Sequence, residues 1–295
     1  IVLASAYLTD VLGVDPKESV VVCPVDPYVE ADYFQALKTL GELADKREAN
    51  LVLLGVEPTY PSEKYGYIIP EDGGSVSRVL SFKEKPDRKT AQDYISRGAL
   101  WNGGVFAYRL DYVLDKARKI IGYRGYEDLF ERYETLDKIS FDYAVAEKED
   151  RIQVMRFLGQ WKDLGTWNTL TESMGEDSVG EAMMNDACSN VHIINELGIP
   201  VLAMGIKDAV ICASPDGILV SDKEQSSYIK PFVDQIDQQI MFAEKSWGSL
   251  RVLDAGKESQ TLKISLKAGH GMNYHSHNNR DEVWVVLLGS GWVVV

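Results

Sequence analysis

The sequence predicts an α/β domain followed by β-rich segments, and three observations lead there. Strand-like and helix-like stretches alternate from residue 19 to about residue 167. From about residue 176 the amphipathic helices give way to short β-branched runs separated by Gly, Asp-Gly and Lys-Asp turns. From Glu244 onward, glycine-punctuated strand patterns carry three of the four histidines within eight residues.

Ser19 to Pro24 (SVVVCP) is a β-branched run suited to a buried strand. Ala31 to Arg47 follows with Phe34, Leu37, Leu40 and Leu43 at helical spacing, and Asn50 to Val56 (NLVLLGV) is a second buried strand. Strand, helix, strand at this spacing predicts a right-handed βαβ unit in a parallel sheet. Gly73 to Arg78 (GGSVSR) lies between two strand-like segments and is expected to be a hairpin turn. A strand from Val76 through FKEKP, a helix from Arg88, the WNGGVFAY strand, helices over Asp111–Ile121 and Tyr126–Leu136, the RIQVMRF strand and the WKDLGTW turn complete the unit. The expected divisions are 1–175 for this α/β domain, 176–243 for an all-β segment with a connecting helix from Tyr228 to Ala243, and 244–295 for a third, strand-rich part.

Composition narrows the function. Of 295 residues, 45% are hydrophobic and 26% charged, which suits a globular fold. The net charge of −14 argues against a nucleic-acid or anionic-membrane partner. No run approaches the roughly 18 apolar residues of a membrane span, and no signal segment is present, so the expected location is cytoplasmic. Cys23, Cys188 and Cys212 form no close pair and read as buried thiols in a reducing compartment.

In open α/β sheets, catalytic groups gather where strands end and loops converge on a crevice. Asp26 follows the first strand, Glu84 and Lys85 end the SFKEKP strand, and Asp163 sits in WKDLGTW. Two carboxylates from separate strands can hold Mg²⁺ together with phosphate oxygens, and a lysine beside them can neutralise phosphate charge. Taken singly, each has a plainer reading: Asp after a strand is a turn residue, Lys beside Glu a solvated pair, Asn-Gly-Gly a turn. Spacing alone leaves the two readings level.

Six short stretches in order, VVVCPVDPYV, YGYI, FKEKP, WNGGVF, FDYAVAEK and WKDLGTW, give the chain a resemblance to the sugar-nucleotide pyrophosphorylases, and within them to the mannose-1-phosphate guanylyltransferases. The resemblance implies a Rossmann-like nucleotidyltransferase domain that transfers GMP from GTP to mannose 1-phosphate. It implies Asp26 and Asp163 as Mg²⁺ ligands, Lys85 at the sugar phosphate, Glu84 and Asn102 at sugar hydroxyls, and Gly66 where the backbone approaches the sugar. It also implies a glycine-rich nucleotide loop preceding Ile1. The chain is therefore expected to be truncated at both ends and inactive in turnover as it stands. The middle segment is expected to be β-helix-like and is a plausible surface for homo-oligomer contact.

Near the C-terminus, glycine, five residues, His-x-His, four residues, Glu, six residues and glycine run from Gly269 to Gly289. On a strand, His275 and His277 would share a face, with Glu282 arriving from a paired strand, which is a divalent transition-metal constellation. His270 is expected in a loop and His192 in a structural role. The spacing resembles the first motif of the cupin barrel, as in the type II mannose-6-phosphate isomerase domain fused to some guanylyltransferases, and implies a partial cupin over 244–295. Two other functions stay open: a sugar-phosphate isomerase carried by the cupin, and a non-catalytic sugar-phosphate or metal binder.

Overall fold

The computed structural model describes residues 1–294, and no helix in it is long and apolar enough to cross a membrane. The chain forms two compact units, the first Ile1–Gly165 and the second beginning at Thr166. The first contains α1 (Val2–Ala6), β1 (Ser19–Val22), β2 (Tyr28–Val29), α2 (Ala31–Asp45), β3 (Leu51–Val56), β4 (Tyr67–Pro70), β5 (Val76–Lys83), α3 (Arg88–Ser96), β6 (Leu100–Arg109), α4 (Leu110–Ile121), α5 (Tyr126–Glu131), α6 (Phe141–Ala144), β7 (Ile152–Phe157) and β8 (Trp161–Lys162).

Six strands form a mixed sheet in the order β1-β6-β3-β7-β5-β4, and β4 bonds back to β6. The βαβ unit β1-α2-β3 is present, but its strands are not neighbours. Both run antiparallel to β6, which lies between them, so they are parallel to one another across an inserted strand. The parallel pairing of β3 is with β7. All six residues of β3 are buried, as a strand covered on both faces requires. Leu51 and Leu53 pack with Phe106, Tyr108, Val113 and Val154 on one face. Val52 and Leu54 meet Tyr33, Leu40 and Leu43 of α2 on the other. The buried stripe of α2 runs through Tyr33, Leu37, Leu40 and Ala44, whereas Phe34 is 64% exposed. Leu37, Leu40 and Leu43 of the expected stripe do face this core, while Tyr33 takes the place expected of Phe34, which packs edgewise on the Tyr33 ring. The expected hairpin joins β4 to β5, with Asp72 Oδ1 accepting from the Gly74 N–H at 2.8 Å.

One carboxylate ties the starts of β3 and β7 to α4. Glu149 accepts from Asn50 Nδ2 at 2.9 Å, the Tyr112 hydroxyl at 2.7 Å and the Arg151 N–H at 3.1 Å, and pairs with Lys116 Nζ at 2.9 Å. Burial alone would raise its pKa, but these donors outweigh burial and hold it down, from 4.5 to about 2. A carboxyl held below its unfolded value stabilises the fold above that value, and the contribution disappears as pH falls from 4.5 toward about 2. With its side chain only 7% exposed, the contribution is on the order of 3 kcal/mol. Denaturant melts between pH 6 and pH 3 should therefore show a smaller loss of stability in Glu149→Gln than in the wild type; parallel curves would remove Glu149 from this role.

The second unit contains α7 (Trp167–Thr171), β9 (Ser178–Val179), β10 (Ala182–Met184), β11 (Ser189–Asn195), β12 (Val201–Ala203), β13 (Lys207–Ser214), β14 (Gly217–Asp222), α8 (Lys230–Val233), β15 (Phe242–Lys245), β16 (Gly248–Ala255) and β17 (Gln260–Leu266). β9, β11 and β13 form one parallel ladder and β10 and β12 another, around Val191, Ile193, Ala209 and Ile211, while β14 closes antiparallel on β13. β15, β16 and β17 form an antiparallel meander.

Two expectations fail in this unit. The connecting helix is reduced to α8, because Asp216 captures the Met241 N–H at 2.6 Å and the Phe242 N–H at 3.3 Å, drawing the chain into β15. Phe232, Ile236 and Ile240 are exposed, so no buried face would sustain a longer helix. The strand expected to carry His275 and His277 is also missing: residues 267–294 form no ladder among the described residues, and a strand without a hydrogen-bonded partner is not stable in water. The three cysteines are free and half-buried, less enclosed than expected.

Candidate functional site

The WNGGVF stretch is an irregularity inside a continuous strand. β3 pairs Leu53 with Phe106 but Gly55 with Asn102, so one residue of β3 faces three of β6. Such a bulge bends the strand and re-aims its side chains, and Gly104 adopts φ +70° to make it. Asn102 sits at the edge of the bulge. Its N–H donates to the Gly66 carbonyl at 2.8 Å, Nδ2 donates to Asp142 Oδ1 at 2.8 Å, and Oδ1 accepts from the Gly104 N–H at 3.2 Å.

Gly66, just before β4, faces the end of β5. A Cβ there would collide with Glu84 Oε2, and would crowd Phe82 Cζ at 3.1 Å and Asn102 Cβ at 3.3 Å. The structure thus brings Gly66, Glu84 and Asn102 together. Glu84 is 7% exposed, and its Oε2 is buried without a hydrogen-bond partner. Its Oε1 receives Lys85 Nζ at 2.7 Å. Burial pushes the Glu84 carboxyl above its ordinary range, the Lys85 hydrogen bond pulls it back, and the Asp142 charge adds to the rise. The Lys85 ammonium moves up in turn, chiefly through its bond to Glu84. Lys85 holds φ +47°, a left-handed conformation that an L side chain adopts only at a cost of about 1–2 kcal/mol. Pro86 disfavours the right-handed alternative for the residue before it, and the result folds the ammonium back over Glu84 while leaving it half exposed.

The two aspartates arrive by a separate device. β2 and β8 pair antiparallel, Tyr28 with Lys162 and Val29 with Trp161. Asp26 lies two residues before the ladder on one strand and Asp163 one residue after it on the other, so two carboxylates far apart in sequence end at the same edge. Asp163 Oδ1 accepts from the Gly165 N–H at 2.7 Å. Next to Gly66, Tyr65 has its phenol pushed up by burial first, then by Tyr60 and Asp163. Its ring lies 4.8 Å from Trp101 and 6.0 Å from Trp161. The chain leaving β1 passes the bulge, since a Cβ on Gly104 would touch Pro24 at 3.7 Å. Two carboxylates at one end of the β2–β8 ladder, with Asp163 close to Tyr65 and so to the Gly66, Glu84 and Asn102 cluster, are a donor set that suits a phosphorylated, hydroxyl-bearing ligand and a hard divalent cation.

The nucleotidyl transferase family profile matches residues 2–178. The chain belongs to the nucleotidyl transferase family. It is 30% identical over 295 residues to the mannose-1-phosphate guanylyltransferase of Salmonella montevideo, covering 88% of this chain and 62% of that protein. It is 29% identical over 313 residues to the xanthan biosynthesis protein XanB of Xanthomonas campestris pv. campestris strain B100, covering 95% of this chain and 65% of that one. Among solved structures, it is similar to the mannose-1-phosphate geranyltransferase of Thermus thermophilus, with a TM-score of 0.66 and 30% identity over 79% of this chain and 73% of that one. The chain thus spans less than two thirds of the length of these two curated relatives. For a nucleotidyl transferase, a Rossmann-like α/β sheet with polar groups at its strand ends is the expected frame.

Asp142 and Glu147 escaped the sequence reading as site residues. Glu147 Oε1 accepts from the Glu84 N–H at 2.9 Å and pairs with Lys83 at 3.5 Å. Both acids lie within FDYAVAEK, which was the available signal, but their partners are 40 and 63 residues away, beyond any local periodicity. In the second unit, ligand atoms of His275, His277 and Glu282 lie within 4.8 Å of one another without the expected strands. His277 Nε2 is 2.9 Å from Glu282 Oε1 and 2.7 Å from Arg280 Nη2. His270 is in a loop as expected, and His192 is tied to Lys223 at 2.9 Å, in keeping with a structural role.

The Gly66 contact can be tested directly. Gly66→Ala should lower stability by roughly 1–3 kcal/mol through overpacking against buried Glu84. Pairing it with Glu84→Ala should recover part of that loss in a thermal melt, and equal losses in the single and double variants would show that the two side chains do not collide.

Proposed function

We propose that the protein acts as a mannose-1-phosphate guanylyltransferase, transferring GMP from GTP to mannose 1-phosphate to give GDP-mannose and pyrophosphate. The observation that carries the reading is the meeting of Gly66, Glu84 and Asn102 around a buried, unpaired carboxylate oxygen, with Lys85 at its mouth. A sugar hydroxyl satisfies Glu84 Oε2 by donating to it, a need that water or an apolar ligand meets less specifically. The Asn102 carboxamide offers a second polar contact, Lys85 neutralises the sugar phosphate, and Gly66 leaves room for the ring. These groups orient the sugar-phosphate oxygen toward the α-phosphorus of GTP for in-line displacement of pyrophosphate, so that positioning and charge neutralisation carry the rate.

Asp26 and Asp163 fit Mg²⁺ as an all-oxygen, hard donor pair that leaves positions for phosphate and water. When bound there, Mg²⁺ supplies charge neutralisation and a template for the phosphates. The chain's division follows the same reading: a nucleotidyltransferase domain to about residue 175, a β-helix-like segment over 176–243 supported by its two parallel ladders, and a partial cupin over 244–295.

In a protein of the relatives' full length, Asp26→Ala or Asp163→Ala should lower GDP-mannose formation by roughly 10²-fold or more. Each should also weaken Mg²⁺-dependent binding of mannose 1-phosphate in calorimetry. Full activity in either variant would sink the metal assignment, and mannose 1-phosphate binding without pyrophosphate release would favour a non-catalytic binder.

The cluster of His275, His277 and Glu282 supports a second reading, in which this part of the chain holds a divalent transition metal. Arg280 competes for the same atoms, so binding must displace it and is expected to be weak. Titration with Co²⁺ should give an absorbance change that His277→Ala removes. If His277→Ala also abolished conversion of mannose 6-phosphate to fructose 6-phosphate, the cupin would carry an isomerase.

A further inference from the structure

The Asn102 carboxamide is held at both ends by groups that admit one orientation. Asp142 Oδ1 accepts from Nδ2 at 2.8 Å, and an ionised carboxylate can only accept. The Gly104 N–H donates to Oδ1 at 3.2 Å, and a backbone N–H can only donate. Rotating the amide by half a turn would set oxygen against oxygen and N–H against N–H. In the observed orientation, Asn102 keeps one N–H and one oxygen lone pair for a ligand.

Asp142 is placed by its own helix. It lies in the first turn of α6, whose N-cap Ser140 accepts from the Tyr143 N–H at 3.3 Å. From the same segment, Glu147 holds the Glu84 backbone at 2.9 Å. The stretch 141–148 therefore braces the Asn102 side chain and the Glu84 backbone without belonging to any strand that carries them. Burial pushes the Asp142 carboxyl above its ordinary range, and its bond from Asn102 and the charge of Lys85 only offset this. A charge kept against its burial penalty contributes little to folding stability, which directs attention to what it orients.

We propose that Asp142 is a positioning residue of this pocket, fixing the Asn102 carboxamide so that it presents one defined donor and one defined acceptor to a hydroxylated ligand. It rests on the sugar-phosphate reading above and places part of the discrimination among hexose phosphates in a side chain behind the pocket wall. A pocket whose amide can flip would accept either sense of hydrogen bond from a hydroxyl; a fixed one rejects the wrong sense.

Calorimetric binding of mannose 1-phosphate with Mg²⁺, alongside thermal melts, separates the outcomes for the wild type, Asp142→Asn, Asn102→Ala and the double variant. Asp142→Asn keeps the side chain's shape but can donate as well as accept, so the amide orientation is lost. Its Kd should rise about tenfold with Tm unchanged or higher, because a buried charge has been removed. In the double variant, Kd should match that of Asn102→Ala alone, since the two residues act as one unit. Binding by Asp142→Asn within about twofold of wild type would overturn the assignment. So would losses that add in full in the double variant, or weaker binding accompanied by a lower Tm, the mark of a purely structural residue. A wild type that does not bind mannose 1-phosphate would instead overturn the sugar-phosphate reading itself, and this assignment with it.

Discussion

Strand β6 has to serve three partners, and the first unit depends on how it does so. Its C-terminal half bonds β1 on one edge, its first residues bond β4 on that same edge, and β3 runs along the other. A regular strand would not give the step seen here, in which one residue of β3 faces three of β6 between the pairs Leu53–Phe106 and Gly55–Asn102. The bulge at Gly103 and Gly104 makes that step by adding length to β6 without breaking it. Asn102, immediately before the bulge, is thereby turned toward Gly66 and Asp142. The glycines are therefore needed for register as well as for space: φ +70° at Gly104 would strain any other residue.

The remaining site geometry follows from that displacement. Because β4 meets β6 at Tyr67 and Trp101, Gly66 lies directly beside Asn102, and the β4–β5 hairpin brings Glu84 over Gly66. Glu84 is then too enclosed to be a solvated partner of Lys85, even though the two are neighbours in sequence. Its one bonded oxygen faces the lysine, and its other oxygen is buried against Gly66 without a hydrogen-bond partner. The plainer reading of FKEKP as a salt-bridged turn is correct for Lys85 Nζ and Glu84 Oε1, but leaves Oε2 unexplained.

Strands, most helices and the β4–β5 hairpin were legible in the sequence because period and turn chemistry are local. The order of strands was not, since the insertion of β6 between β1 and β3 is decided by pairing over 45 or more residues. The same distinction divides the site. Asp26, Glu84, Lys85 and Asp163 could be picked out as polar groups at strand ends, and Gly66 and Asn102 through motif resemblance. Asp142 and Glu147 act only through partners from other strands, and no spacing rule points to them. The short α8 is a similar case: the residues after it are compatible with a helix, but Asp216 from the β13–β14 turn bonds their backbone first.

The charge distribution bears on how the proposed site can work at all. The chain carries a net charge of −14, and in the proposed reading five acids, Asp26, Glu84, Asp142, Glu147 and Asp163, would lie around an anionic sugar phosphate. Lys85 is already bonded to Glu84, so its charge is partly spent before a ligand arrives. Two unit charges about 4 Å apart interact by roughly 4 kcal/mol near a protein surface, so an unscreened phosphate beside Asp26 and Asp163 would be strongly repelled. In the proposed reading, a divalent cation held by those aspartates would reverse the sign of that interaction. Asp142 accepts from the Asn102 amide instead, and Glu84 Oε2 would take a hydroxyl donor in the same reading, for which negative charge is an advantage. In that reading the acids divide by position, with Asp26 and Asp163 suited to metal and phosphate, and the buried Glu84 and half-buried Asp142 to the uncharged face of the sugar.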